Sequence, residues 1–313
     1  MKRILVPVDF SPTAEKAFRF ALEIAGRSKG TVVLYHLYTS VASGLLYTAK
    51  TKKLYNDQQE SNLLKRLSRL KKKVTAGSDA VSVSTIVGRT PIVNNILGFA
   101  EANHIDMIVM GTQGASGFKK AVIGSVASRI IKKSDIPVLV IPEKFEWKIP
   151  EQIVFASDCQ PTDIQTLPVI LSFAKAFKRG VNIIHVSSSN ATETGKQVTK
   201  ELFHTYSFSF QRLFSDHRVK FQLMEAGSVM EAMENLEKKL PYDVLAMVRG
   251  KKSFFENYLL KSFTQEMAYI SRKPLLIIPE DINVKLRTEE TILKAHPQKL
   301  DIKIRKIKHK VSN

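Results

Sequence analysis

Cysteine, acidic residues and long apolar runs are all scarce in this chain, and each scarcity removes a class of protein. One cysteine, Cys159, in 313 residues excludes an internal disulfide. It suits a reducing compartment, so a cytoplasmic location is expected. No apolar run reaches ~18 residues, so neither a membrane-spanning helix nor a membrane partner is expected. The opening residues Met1-Lys2-Arg3-Ile4-Leu5-Val6 enter a strand-like segment at once, without the apolar region and cleavage site of a signal peptide. Acids number 29 against 48 Lys and Arg, giving a net charge of +19. Residues 47–73 hold nine Lys/Arg against two acids, and residues 284–313 hold nine against three. The remaining body is only mildly basic. Such segments attract phosphate backbones non-specifically, and a charged solubilising surface accounts for them equally well.

What the chain does have is alternation of strands and helices. Arg3 to Asp9 reads as a strand, and Ser11-Pro12 as a helix start with serine capping and proline at the first turn. Ala14, Ala17, Phe18, Ala21, Leu22 and Ala25 then recur at helical spacing, closed by Gly26 to Gly30. Thr31 to Tyr38 is a second strand, in which His36 reads as a satisfied core histidine. Ala49 to Val74 is a basic helix with a sparse stripe at Leu63, Leu64, Leu67 and Leu70. Val81 to Val87 is a third strand, Gly88-Arg89-Thr90-Pro91 a turn and cap, and Ile92 to Ala100 a helix. Ile105 to Met110 and Ile136 to Ile141 are the fourth and fifth strands. This order predicts an α/β domain: an open, doubly wound parallel five-stranded sheet with helices on both faces. Ligands in such sheets sit beyond the carboxyl ends of strands, where Asp9, Leu37 and Met110 lie.

The stretch after Met110 is the most informative. Gly111, Gly114 and Gly117 are equally spaced, Lys119 and Lys120 follow, and Gly124-Ser125 opens a helical pattern through Val126, Ile130 and Ile131. Strand, glycine loop and helix start together build anion sites, because glycine admits close backbone approach and a helix N-terminus offers unpaired N–H groups. The loop is neither a P-loop nor the G-x-G-x-x-G fingerprint. Three glycines alone are as compatible with a flexible connection as with a site.

The second half repeats the first. Ile153 to Asp158 matches Ile4 to Asp9, and His185 matches His36, 149 residues later. Asp243 to Met247 matches Asp106 to Met110, and Lys273 to Pro279 matches Ile136 to Pro142, 137 residues later. The shorter connection falls between the second and fourth strands. Domains are therefore expected at 1–144 and 150–280, with a basic extension over 281–313. The copies diverge at the loop: Val248 stands for Gly111, Lys251 for Gly114, Lys261-Ser262 for Gly124-Ser125 and Ala156 for Pro7. Cβ atoms at those positions crowd a ligand, so the second domain is not expected to bind the first domain's ligand in the same way. Lys251 and Lys252 read as a solvated loop, which Phe254 and Phe255 also enter. Cys159, at a strand end, reads as an idle thiol.

The spacing Gly111-x2-Gly114-x9-Gly124-Ser125 resembles the nucleotide-binding signature of the universal stress protein family, and residues 1 to 280 fit a tandem member. The resemblance implies a Rossmann-like sheet shared with adenine-nucleotide-binding proteins, and binding of ATP with magnesium in the first domain. Position by position it implies Pro7, Val8, Asp9, Leu37 and Met110 around adenine and ribose. Gly111 and Gly114 would admit ribose and phosphates, and Gly124, Ser125 and Val126 would hold the phosphate tail beside Ala127. Family members often carry Ser or Thr at the position of Ala127, so one phosphate contact is expected to be missing. Only Asp9 is an obvious carboxylate for the metal. The resemblance also implies a pseudo-twofold pair joined through Val138–Ile141 and Leu275–Ile278, and further homo-oligomerisation.

Three functions remain open on sequence: an ATP-binding regulator of stress response, a slow ATP hydrolase or nucleotidyl-transfer enzyme, and a nucleic-acid or anionic-surface binder. No His or Glu lies near residues 111–128 to act as general base, so at most weak ATPase activity is expected and no catalytic residue is assigned. The tail from Lys299 to Lys310 mixes period-two and helical spacing.

Overall fold

A computed structural model describes residues 1–40, 48–112, 124–159, 161–214, 218–249, 273–280 and 282. The chain divides into two compact units, Met1–Trp147 and Lys148–Asn313. In the first, the elements are β1 (Arg3–Pro7), α1 (Pro12–Ser28), β2 (Thr31–Tyr38), α2 (Ala49–Thr75), β3 (Ser82–Arg89), α3 (Ile92–Ala102), β4 (Met107–Gly111), α4 (Ser125–Lys133) and β5 (Val138–Ile141). Their strands run in the order β3-β2-β1-β4-β5, every pairing parallel. This is the α/β sheet expected of alternating strands and helices. Helix α1 packs on β1, β2 and β4 and touches α2, while α3 and α4 touch each other. Right-handed crossovers in this strand order place α1 and α2 on one face and α3 and α4 on the other.

Burial on both faces explains why the central strands read as apolar runs. Ile4, Leu5, Val6, Met107, Ile108 and Val109 are all fully buried, each worth roughly 1.5–3 kcal/mol relative to exposure. Helix α1 begins as its sequence implies: the Ser11 Oγ accepts the Ala14 N–H at 3.1 Å. It ends differently. Gly26 lies inside the helix, and Lys29 takes the left-handed C-cap position at φ 52°. Strand β3 is longer than its apolar run, because Gly88 and Arg89 pair with Leu37 and Tyr38 rather than forming a turn. Helix α2 turns Asn56, Leu63, Leu67 and Val74 inward, while Leu64 is 41% exposed. Only alternate members of the leucine stripe reach the core, because one face of a 27-residue helix meets the sheet.

The second unit holds β6 (Ile153–Ala156), α5 (Pro161–Ala176), β7 (Val181–Ser188), α6 (Glu193–Leu213), β8 (Val219–Ala226), α7 (Val229–Lys239), β9 (Val244–Arg249) and β10 (Leu275–Pro279). Its strand order, β8-β7-β6-β9-β10, is that of the first unit with corresponding strands in corresponding places. The repeat extends to single bonds. Asp106 accepts the N–H groups of Lys2 and Arg3, and Asp243 accepts those of Glu151 and Gln152. His36 Nδ1 lies 2.6 Å from the Val8 carbonyl, and His185 Nδ1 lies 2.7 Å from that of Ser157. Phe10 and Cys159 both take positive φ, as do Lys29 and Lys178. The shorter connection lies wholly between β7 and β8, where α6 has 21 residues against 27 in α2.

Candidate functional site

The carboxyl ends of β1, β2 and β4 open into a cleft on the α3/α4 face of the first unit. Pro7, Val8 and Asp9 line it from the end of β1, Leu37 from β2, and Met110 and Gly111 from β4. Gly124, Ser125, Val126 and Ala127 line it from the start of α4. Ten of the eleven sequence-selected residues thus share one cavity; Gly114 lies outside the described residues, as do Gly117, Lys119 and Lys120. The cleft volume is about 170 Å³, below the roughly 300–1,000 Å³ of pockets that engulf a whole drug-sized ligand.

Local chemistry sets each wall. After β1 the chain turns sharply: Asp9 Oδ1 accepts the Ser11 N–H at 3.0 Å, an Asx turn, and Phe10 sits at φ 63°. At the opposite wall, Thr112 donates its N–H to the Ile141 carbonyl at 2.9 Å and accepts the Gly124 N–H at 2.5 Å. That second bond seats the N-terminus of α4 beside the end of β4. Gly124 is the N-cap residue, and Ser128 is the first to bond back to it. The amides of Ser125, Val126 and Ala127 therefore have no intrahelical acceptor and mark a partly positive helix end. Ser125 is exposed and Ala127 buried.

Gly111 has a packing role that its place in the glycine loop conceals. A Cβ there would lie 2.7 Å from Thr13 Cγ2 and 2.9 Å from Thr13 Cβ. Its missing side chain therefore admits helix α1, at the least, into close contact with β4.

Several lining residues carry no loop signature: Ser11, Ala14, Tyr35, His36, Ile92, Ile96 and Thr112. Two patterns mark some of them. Tyr35 and Leu37 share a strand face at spacing two, and Ile92 and Ile96 share a helix face at spacing four. His36 is half-buried rather than core, with its ring 4.6 Å from that of Phe10. Burial lowers its pKa, with help from the charge of Arg66, against the Val8 bond and Asp9. The Arg66 guanidinium lies 4.0 Å over the Phe10 ring, a cation–π contact.

The corresponding region of the second unit is built from polar groups. Ser157 replaces Val8 and Asp163 replaces Ala14, at 1% and 3% exposure. Ser157 Oγ lies 2.5 Å from Asp163 Oδ2 and 2.9 Å from the hydroxyl of fully buried Tyr206, and it accepts the Cys159 N–H at 3.0 Å. Burial raises the Tyr206 phenol pKa well above its usual range. Cys159 is buried and forms no disulfide. Half-buried Val248 stands where the first unit has Gly111. Residues 251–272 and 283–313, with their lysines, Phe254, Phe255 and the basic tail, lie outside the described residues. Among the described residues no helix is long and apolar enough to cross a membrane, and no three His, Cys, Asp or Glu side chains are grouped to hold a metal.

A doubly wound parallel sheet with a cleft at its strand ends and an open helix terminus on the rim defines an open-sheet α/β protein with a ligand-sized cleft at its carboxyl edge. Comparison with known proteins narrows this. The profile of the universal stress protein family matches residues 1–142. Universal stress protein MJ0531 of Methanocaldococcus jannaschii is 32% identical over 145 residues, covering 45% of this chain and 81% of that protein. Universal stress protein MJ0577 of the same organism is 28% identical over 157 residues, 46% of this chain and 96% of that protein. The chain belongs to the universal stress protein family. Two solved structures share the fold across most of the length. The functionally unknown protein PA1789 of Pseudomonas aeruginosa PAO1 has a TM-score of 0.62 at 16% identity, covering 98% of each chain. A universal stress protein from Archaeoglobus fulgidus DSM 4304 has a TM-score of 0.56 at 18% identity, covering 88% of this chain and 96% of the other.

Proposed function

We propose that this protein is an ATP-binding regulator of stress response that holds one nucleotide in the first unit and acts by binding rather than by rapid turnover. The observation that carries the reading is the convergence of three strand ends and the α4 N-terminus on one cleft. The largely apolar part of the cleft suits a purine ring. The amides of Ser125, Val126 and Ala127, at the rim, suit phosphate oxygens. A magnesium ion bound with the phosphates would neutralise their charge. Asp9 is the lining carboxylate able to reach it, and one carboxylate with phosphates and waters is a sufficient ligand set. The second unit does not bind nucleotide in the same way, since Asp163 puts a carboxyl group where the first unit has a methyl. The cell compartment is the cytoplasm, and the protein acts as a homo-oligomer. Titration of the full chain with ATP and magnesium tests the reading: saturable binding with slow phosphate release is expected, and no binding refutes it. Fast steady-state release, abolished by Asp9→Asn, would favour the hydrolase instead.

A second reading has its own support. Lys65, Arg69 and Lys72 lie on the face of α2 opposite its buried residues, where they would meet a polyanion such as a nucleic-acid backbone. Salt-dependent DNA retention, weakened when all three are changed to Gln, is the expected result; retention unaffected by those changes would rule this face out.

A further inference from the structure

We propose that the Tyr35 hydroxyl selects the base of the nucleotide by donating a hydrogen bond to a purine ring nitrogen, an assignment that rests on the nucleotide reading above. Tyr35 lines the cleft and is 6% exposed. It precedes Leu37 by two residues, so both side chains occupy the same sheet face. The ring is held on two sides. Phe99 of α3 lies 4.7 Å away between centroids, at 30°. Gly88 of β3 lies beneath it, where a Cβ would stand 2.4 Å from the Tyr35 hydroxyl and 2.8 Å from two ring carbons.

The hydroxyl itself has no hydrogen-bond partner among the described residues. Its oxygen is not sealed from solvent, since among the described residues Asn56 Oδ1 is the one fully buried side-chain polar atom without a partner, and a phenol at a cleft wall can find its partner in a ligand. A phenol is a donor at neutral pH, and burial moves the Tyr35 pKa further up. The phosphates are drawn to the α4 terminus, which leaves the base for the apolar wall that Tyr35 shares with Ile92 and Ile96. The second unit lacks both parts of the device: Ile184 stands for Tyr35 and Glu225 for Gly88. Tyrosine and the glycine that makes room for it thus occur together in the unit with the open cleft.

The test compares ATP with inorganic tripolyphosphate, each titrated with magnesium against the wild-type chain and Tyr35→Phe. Loss of one neutral hydrogen bond should weaken ATP roughly two- to tenfold and leave tripolyphosphate unchanged. Equal ATP affinity in both proteins overturns the assignment, as does equal weakening of both ligands. A measurement on the wild type alone covers the case in which the variant fails to fold. Among ATP analogues with a single ring nitrogen replaced by C–H, one should lose affinity by the same factor, and affinity unchanged across the series overturns the contact. Wild-type protein that binds no nucleotide at all refutes the nucleotide reading and this contact together; wild-type binding with an unaffected variant refutes the contact alone.

Discussion

Replacing Gly111 with alanine separates packing from ligand binding at the head of the glycine loop. The added Cβ would meet Thr13 Cγ2 at 2.7 Å, Thr13 Cβ at 2.9 Å and the Thr13 carbonyl carbon at 3.1 Å. Thr13 is 4% exposed in the first turn of α1, a helix fixed by the Ser11 cap and by Pro12. The helix start has little freedom to retreat. Overpacking of this kind costs about 1–3 kcal/mol. For a unit of this size that is about 3–10 °C in Tm. The assay is thermal and urea unfolding of the full chain and of a double-mutant cycle with Thr13→Ala, which removes the nearest clashing methyl but keeps Cβ. A coupling of at least about 0.5 kcal/mol is expected, with the double variant recovering part of the loss. Strict additivity, or Gly111→Ala as stable as wild type, would refute the steric argument.

Three further outcomes follow from the packing and the charges. Leu67→Ala, at a fully buried position of α2, should cost about 2–5 kcal/mol, whereas Leu64→Ala should stay within about 0.5 kcal/mol; equal costs in urea unfolding would contradict the register of that helix. Burial alone would raise the Asp243 pKa, but Lys148 and the N–H groups of Gln152 and Glu151 outweigh it and hold it low. Asp243→Asn should therefore cost about 1–3 kcal/mol at neutral pH, with the difference from wild type shrinking below about pH 4 as Asp243 protonates in the fold. Burial also lowers the pKa of both His36 and His185, so the unfolded chain takes up protons first. Stability should fall as pH drops below about 6.5, and a variant with both histidines changed to Phe should show a shallower slope over that window.

The sheet was legible because its strands are buried on both faces and so appear as short apolar runs, and because the chain states the pattern twice. Ser11-Pro12 named its own helix start. The details that escaped are those in which two distant segments decide together. Gly88 looks like a turn until Tyr35 is seen to cover it. Gly111 looks like a ligand glycine until Thr13 is seen against it. Lys29 adopts a conformation that composition assigns to glycine. At the site, residues with a loop spacing or a strand-end position were recoverable, whereas Tyr35, Ile92 and Ile96 become lining residues only through the packing of α3 on β2. In the second unit, the substitutions at Gly111 and Gly124 were visible, but the polar bonds among Ser157, Asp163 and Tyr206 join β6, α5 and α6 and have no local signal.

The central claim is that the first unit alone takes the nucleotide. It is tested most directly by equilibrium binding of a photoreactive ATP with magnesium to the full chain, followed by mapping of the labelled peptides. One nucleotide per chain, with label confined to residues 1–142, is the predicted result. No saturable binding, or label on residues 148–249, would contradict it.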